Sequence, residues 1–165
     1  MVSEQSAACH ARKPANVERI MSDHPLRPAY EATDYRVGDR FTIRCGERSP
    51  PLDVLLAESG HDTWAFITAW NPGSIALDTA ENRRRMTDLS GRIARLGLPM
   101  LEGEGVGTGG DWPPEPSLLV LGIGASEALA LGRAFGQVAI VVGRLGEPAQ
   151  LCFCSPPPTR TAGKT

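Results

Sequence analysis

The sequence predicts an α/β or α+β fold in a single domain: a mixed β-sheet of about five to six strands with about three helices packed on it. Two near-continuous apolar runs, Thr63–Trp70 (TWAFITAW) and Ser117–Ile123 (SLLVLGI), read as central strands covered on both faces. Between them Met86, Leu89, Ile93 and Leu96 recur at helical spacing. Several β–β connections are too short for a crossover, so some strands are expected to be antiparallel.

Composition narrows the function classes. The chain has 165 residues, 41% hydrophobic and 22% charged, with a formal net charge of -2. That size suits one ordinary domain. The charge balance excludes a broadly basic surface, so nucleic acid is not an expected partner. No apolar run is long enough to span a bilayer, and the first twenty residues lack a signal-type apolar core, so a cytoplasmic location without a membrane partner is expected. The four cysteines, Cys9, Cys45, Cys152 and Cys154, then read as reduced thiols. Cys152-x-Cys154 is not a C-x-x-C pair and has no matching second motif, so neither a metal nor another cofactor is expected. Both side chains would share one face of a strand.

The elements follow in order. Residues 1–28 are polar and broken by Pro14, Pro25 and Pro28, and read as a disordered extension with room for a short helix at 16–21. Residues 29–155 form the globular domain, and 156–165 a disordered proline-rich tail. Phe41–Arg44 reads as a strand. Ser49 then caps a helix with Pro50 at its first position; Leu52, Leu55 and Leu56 face inward, and Gly60 stops it.

After the first central strand, Asp78-Thr79-Ala80-Glu81 resembles a capping box and opens the long helix, which ends at Gly97 with Pro99 beyond. Residues 100–114 are glycine-rich; a short strand followed by a mobile loop is expected. Gly122 and Gly124 lead from the second central strand into a helix over Ser126–Phe135, closed by Gly136. Val138–Val142 is a third buried strand. Pro148 makes Gln150–Phe153 an edge strand.

The densest polar chemistry lies at Thr68-Ala69-Trp70-Asn71-Pro72-Gly73-Ser74, where a buried strand stops in a turn. Pro72 is expected to hold Asn71 extended. Asn82 precedes Met86 by four residues and so lies on the buried face of the helix start. A core-facing amide needs partners, and this loop or a ligand beside it can supply them. Arg83 is placed to meet an anion, while much of the remaining arginine run forms i,i+4 pairs on a solvated face. Glu115, beside the glycine-rich loop, is the candidate catalytic acid or base. Trp112 offers a stacking face, and Gln137 a polar side chain at a strand entrance. Gly122-x-Gly124-x-x-Glu127 has a carboxylate where a dinucleotide site needs glycine, and the glycine-rich loop lacks the Lys-Ser/Thr of a P-loop.

Thr68-Ala69-Trp70-Asn71-Pro72, Glu81-Asn82, Trp112-x-x-Glu115 and Phe135-Gly136-Gln137, with Tyr30-x-x-Thr33-x-Tyr35 upstream, resemble in order and spacing the bacterial domain-of-unknown-function family DUF3293. The resemblance implies no activity, cofactor or substrate. It implies a location, at Thr68, Asn71, Pro72, Glu81, Asn82, Glu115 and Gln137. Glu81 has a second reading as a helix cap, which is preferred.

Two functional readings follow. In the first, Thr68, Asn71, Asn82 and Gln137 form a small-molecule site for a nucleotide-, sugar- or amide-like ligand, with Glu115 as acid or base, Arg83 for any anion, Trp112 for stacking and residues 104–113 as a lid. In the second, the amides are structural, and the chain is a non-enzymatic module that binds a protein through the arginine-bearing helix, the edge strand or the tails. Whether Glu115 and Gln137 share a sheet edge with Asn71 depends on which strands run antiparallel.

Overall fold

Alternation along the strands sends side chains to two faces of one sheet, and both faces are buried. On β3 (Thr63–Ile67), Trp64 and Phe66 join one apolar cluster while Ala65 and Ile67 join another. On β5 (Glu115–Leu121), Leu119 and Leu121 meet the first cluster, Leu118 and Val120 the second. The computed structural model describes residues 23–110 and 112–154. The expected helix at 16–21, Cys9 and the proline-rich tail lie outside the described residues.

The other strands are β1 (Asp34–Val37), β2 (Phe41–Ile43), β4 (Met100–Val106), β6 (Ala139–Arg144) and β7 (Gln150–Phe153). They form a seven-stranded sheet in the order β2-β1-β4-β5-β3-β6-β7. Every pairing of these strands is antiparallel, which corrects the mixed sheet expected. The helices are α1 (Arg27–Glu31), α2 (Pro50–Ser59), α3 (Thr79–Arg95) and α4 (Ala125–Ala134). Seven strands and four helices among the described residues replace the expected five to six and three.

β1 is the strand that was not expected, and β4 is longer than the short strand expected. β4 runs through Glu102-Gly103-Glu104-Gly105, which composition marks as loop, because β1 and β5 flank it and their ladders outweigh glycine's low strand propensity. Gly103 is required there: a Cβ would stand 2.5 Å from the Arg36 carbonyl oxygen and 2.9 Å from the Phe66 ring. α1 forms despite Pro28, which falls in its first turn, where a missing N–H breaks no helical bond. His24 is buried and stacks on Phe153 with ring centroids 4.3 Å apart, so packing extends upstream of residue 29.

Two crossovers organise the chain. α3 links β3 to β4, and α4 links β5 to β6. Each joins strands that point the same way, but one oppositely directed strand lies between them. The C-terminal ends of β3 and β4 therefore meet the N-terminal ends of β5 and β6. Ile67 pairs with Leu118, and Gly105 with Glu115.

α3 and α4 cover one face through Leu89, Ile93, Ala128 and Leu131; Cys152 and Cys154 share it, as the i,i+2 spacing predicts. α2 covers part of the other face through Leu52 and Leu56. This second face is concave, because the sheet curls until its ends meet. Cys45 bridges Ala149, the Gly46 N–H donates to the Ala149 carbonyl at 2.8 Å, and the Ala149 N–H donates to Glu47 at 2.9 Å. β7 is the edge strand that Pro148 predicts, yet its start is closed by this contact. No helix of the described residues is long and apolar enough to cross a membrane.

Candidate functional site

The sheet's concave side is filled at one end and open at the other because of side-chain size. Toward α2 the inward positions carry Trp64, Leu119 and Leu121. Toward the opposite end they carry Gly105, Ser117 and Ala139, which leave a cavity of about 420 Å³. Tyr35, Phe66, Val141 and Leu151 supply apolar wall. α1 contributes Leu26, Ala29 and Tyr30.

The polar rim is built from strand ends that the antiparallel order brings together. Thr68, Asn71, Trp112, Glu115 and Gln137, selected from the sequence, all line this cavity. The Thr68 hydroxyl donates to the Pro116 carbonyl at 2.7 Å and accepts from the Trp70 N–H at 3.0 Å, tying the end of β3 to the start of β5. Gln137 is 8% exposed, and its amide nitrogen donates to Trp70 at 3.3 Å and to Phe135 at 3.5 Å.

Asn71 is the centre of the network. Its side-chain nitrogen donates to Glu115 Oε1 at 2.9 Å, and the same oxygen accepts from the Trp112 indole at 2.7 Å. Asn71 Oδ1 accepts from Asn82 at 2.8 Å and from the Leu77 N–H at 3.0 Å. The Asn71 N–H donates to Asn82 Oδ1 at 2.9 Å. Asn71 is not extended as Pro72 predicts but left-handed, with φ 47° and ψ 65°. Proline disfavours the right-handed helical region for its predecessor, and asparagine tolerates the left-handed one when its amide is held.

Asn82 is 1% exposed and stands behind the rim, as the support of Asn71. Its place is set by the helix start: the Asp78 carboxylate accepts from the Glu81 N–H at 2.9 Å, the cap that the sequence predicts. The Glu81 carboxylate pairs with Arg84. Arg83 lies apart from these residues. It is exposed and does not line the cavity, because one residue past Asn82 turns about 100° around the helix.

Arg85, assigned from sequence to the solvated face, instead reaches inward. Nε donates to Ala69 at 3.1 Å and Nη2 to Phe135 at 2.6 Å, so it straps two loops together. Its spacing from Asn82 and Leu89 is the helical one that signals this face. Ser117 and Tyr30 were also missed as lining residues. The alternation from Leu119 and Leu121 points to Ser117; the Tyr30 hydroxyl meets Ser74 Oγ at 2.9 Å across 44 residues, which no local pattern encodes. Burial, then the nearby Glu115 carboxylate, push the Tyr30 phenol upward, partly offset by the Ser74 hydrogen bond.

The expected lid shortens. Residues up to Val106 belong to β4, leaving Gly107, Thr108, Gly109 and Trp112 at the mouth. Trp112 remains 44% exposed. No group of three or more His, Cys, Asp or Glu is placed to hold a metal among the described residues.

The four motif segments, 68–72, 81–82, 112–115 and 135–137, thus converge on one place. Residues 67–140, a little under half of the chain, match the family model described as a protein of unknown function, DUF3293, which bears out the family resemblance. No curated protein and no solved structure matches the chain.

Proposed function

We propose that this chain, through its DUF3293 segment, binds a small organic molecule in the concave cavity between α1, the strand ends, residues 107–109 and Trp112. The observation that carries the reading is the pinned Glu115 carboxylate at the rim of an apolar cavity of about 420 Å³, a size suited to a small ligand. Holding it uses a left-handed asparagine and a buried second asparagine, an expensive arrangement for a merely structural turn. Glu115 acts as a ligand anchor: Oε1 is occupied by Asn71 and Trp112, and Oε2 is the oxygen offered to a ligand. Gln137 and Ser117 add polar contacts, and Trp112 a flat face.

The test is a thermal-shift screen of the full chain, including His24 and Leu26, against nucleosides, sugars, amino acids and amines. Ser117→Leu is run in parallel to fill the cavity. A ligand at a hundred times its dissociation constant adds about 2.7 kcal/mol, several degrees in midpoint. A shift that Ser117→Leu abolishes while the variant stays folded supports the reading. A silent screen, or shifts unaffected by Ser117→Leu, overturns it.

A further inference from the structure

The cavity has a charge signature that narrows its ligand. Among the described residues lining it, Glu115 carries the one carboxylate, and there is no lysine, arginine or histidine. The three arginines that follow Asn82 are directed elsewhere, Arg84 to the Glu81 carboxylate. Arg83 is exposed and outside the cavity, and Arg85 spends its guanidinium on the carbonyls of Ala69 and Phe135. A phosphate or carboxylate entering here would meet Glu115 with no compensating cation, and burying an unpaired anion is costly.

The opposite charge finds a complete set of partners. Glu115 Oε2 is not used by the Asn71 and Trp112 bonds, which both end on Oε1. Gln137 is buried, and both of its hydrogen bonds run from Nε2, leaving Oε1 as an acceptor. The lining of the same cavity also carries the rings of Tyr30, Tyr35, Phe66 and Trp112. A carboxylate attracts a cationic nitrogen by charge-assisted hydrogen bonding, and aromatic rings lining the same cavity add the attraction of their quadrupoles. The apolar wall then accommodates a hydrocarbon or aryl body.

We infer that the site takes a cationic amine: a protonated nitrogen on Glu115 Oε2 with Gln137 Oε1 as second acceptor, and an apolar body against Phe66, Tyr35 and Leu151. This rests on the small-molecule reading above and narrows it, against the phosphate-bearing nucleotides that Arg83 would have served had it lined the cavity.

The experiment compares three probes of one shape by calorimetry on the full chain at pH 7: phenethylamine, phenethyl alcohol and hydrocinnamate. The amine is expected to bind at least about tenfold tighter than either of the others, the factor that one charge-assisted hydrogen bond supplies. Glu115→Gln keeps the shape and an acceptor, and is expected to erase the preference, lowering the amine's affinity relative to the alcohol's by at least about tenfold. The wild-type ranking stands by itself should that variant misfold. If the alcohol or the carboxylate binds as well as the amine, the charge assignment is overturned and the cavity reading stands. If none of the three binds, the amine assignment is overturned; if the broader screen is silent as well, the cavity reading falls with it.

Discussion

Replacing Asn82 by alanine is expected to destabilise the protein by about 2–3 kcal/mol. The side chain is 1% exposed and makes two short hydrogen bonds with Asn71, one to its backbone and one to its amide, and a longer one to Leu77 at 3.3 Å. Alanine leaves the Asn71 N–H without that acceptor in a buried place, at a cost of about 1–3 kcal/mol. Asn71 Oδ1 keeps the Leu77 N–H, so the second loss is smaller. The left-handed Asn71 also loses what holds it, which moves the sum to the upper half of that range. For a domain of this size the midpoint falls by roughly 5–12 °C. The assay is thermal and urea unfolding of the full chain. Thr87→Ala, an exposed position on the same helix, serves as control and is expected to stay within about 0.5 kcal/mol. The double variant Asn71→Ala/Asn82→Ala is expected to cost less than the two single losses together, because the groups satisfy one another. An Asn82→Ala midpoint within a degree or two of wild type, or strict additivity in the double variant, would refute the reasoning.

Gly103→Ala is expected to lose about 1–3 kcal/mol in urea unfolding, because its Cβ would collide with the Arg36 carbonyl and the Phe66 ring. Thr68→Val removes the hydroxyl that joins Pro116 to Trp70 and is expected to cost about 1–2 kcal/mol by the same measurement, whereas Thr68→Ser largely restores it. Burial pushes the Cys154 and Cys45 thiols up to about 11, against a usual value near 8.5. Both bind a proton more tightly in the folded state. Their contribution is complete below the unfolded value and is lost as pH rises through about 11, so the urea midpoint is expected to fall between pH 8.5 and 11, and less so in Cys154→Ala. An unchanged midpoint across that interval would show that these thiols are as free to ionise folded as unfolded.

Sequence reading reached the central strands, the α3 cap and the chemistry-bearing residues because each has a local cause. TWAFITAW and SLLVLGI are too apolar for anything but buried elements, and Asp78 three residues before Glu81 is a cap by spacing. Asn82 declared itself as an amide on an apolar helix face. Arg83 stands away from the cavity, because adjacency in sequence is not adjacency on a helix. The length of β4 and the whole of α1 were hidden: glycines and prolines argue against elements locally, and only the neighbouring strands and Phe153 reverse that argument.

What the sequence by itself determined is therefore the inventory: which segments are buried, where they stop, and which polar side chains cannot face water. What the tertiary structure alone decided is that those side chains meet. Asn71, Glu115 and Gln137 stand at opposite chain ends of their strands and share a cavity because β5 and β6 both run against β3. Strand direction follows from which sheet position each crossover reaches. That is a competition among long-range pairings, with no signature in any local window of residues.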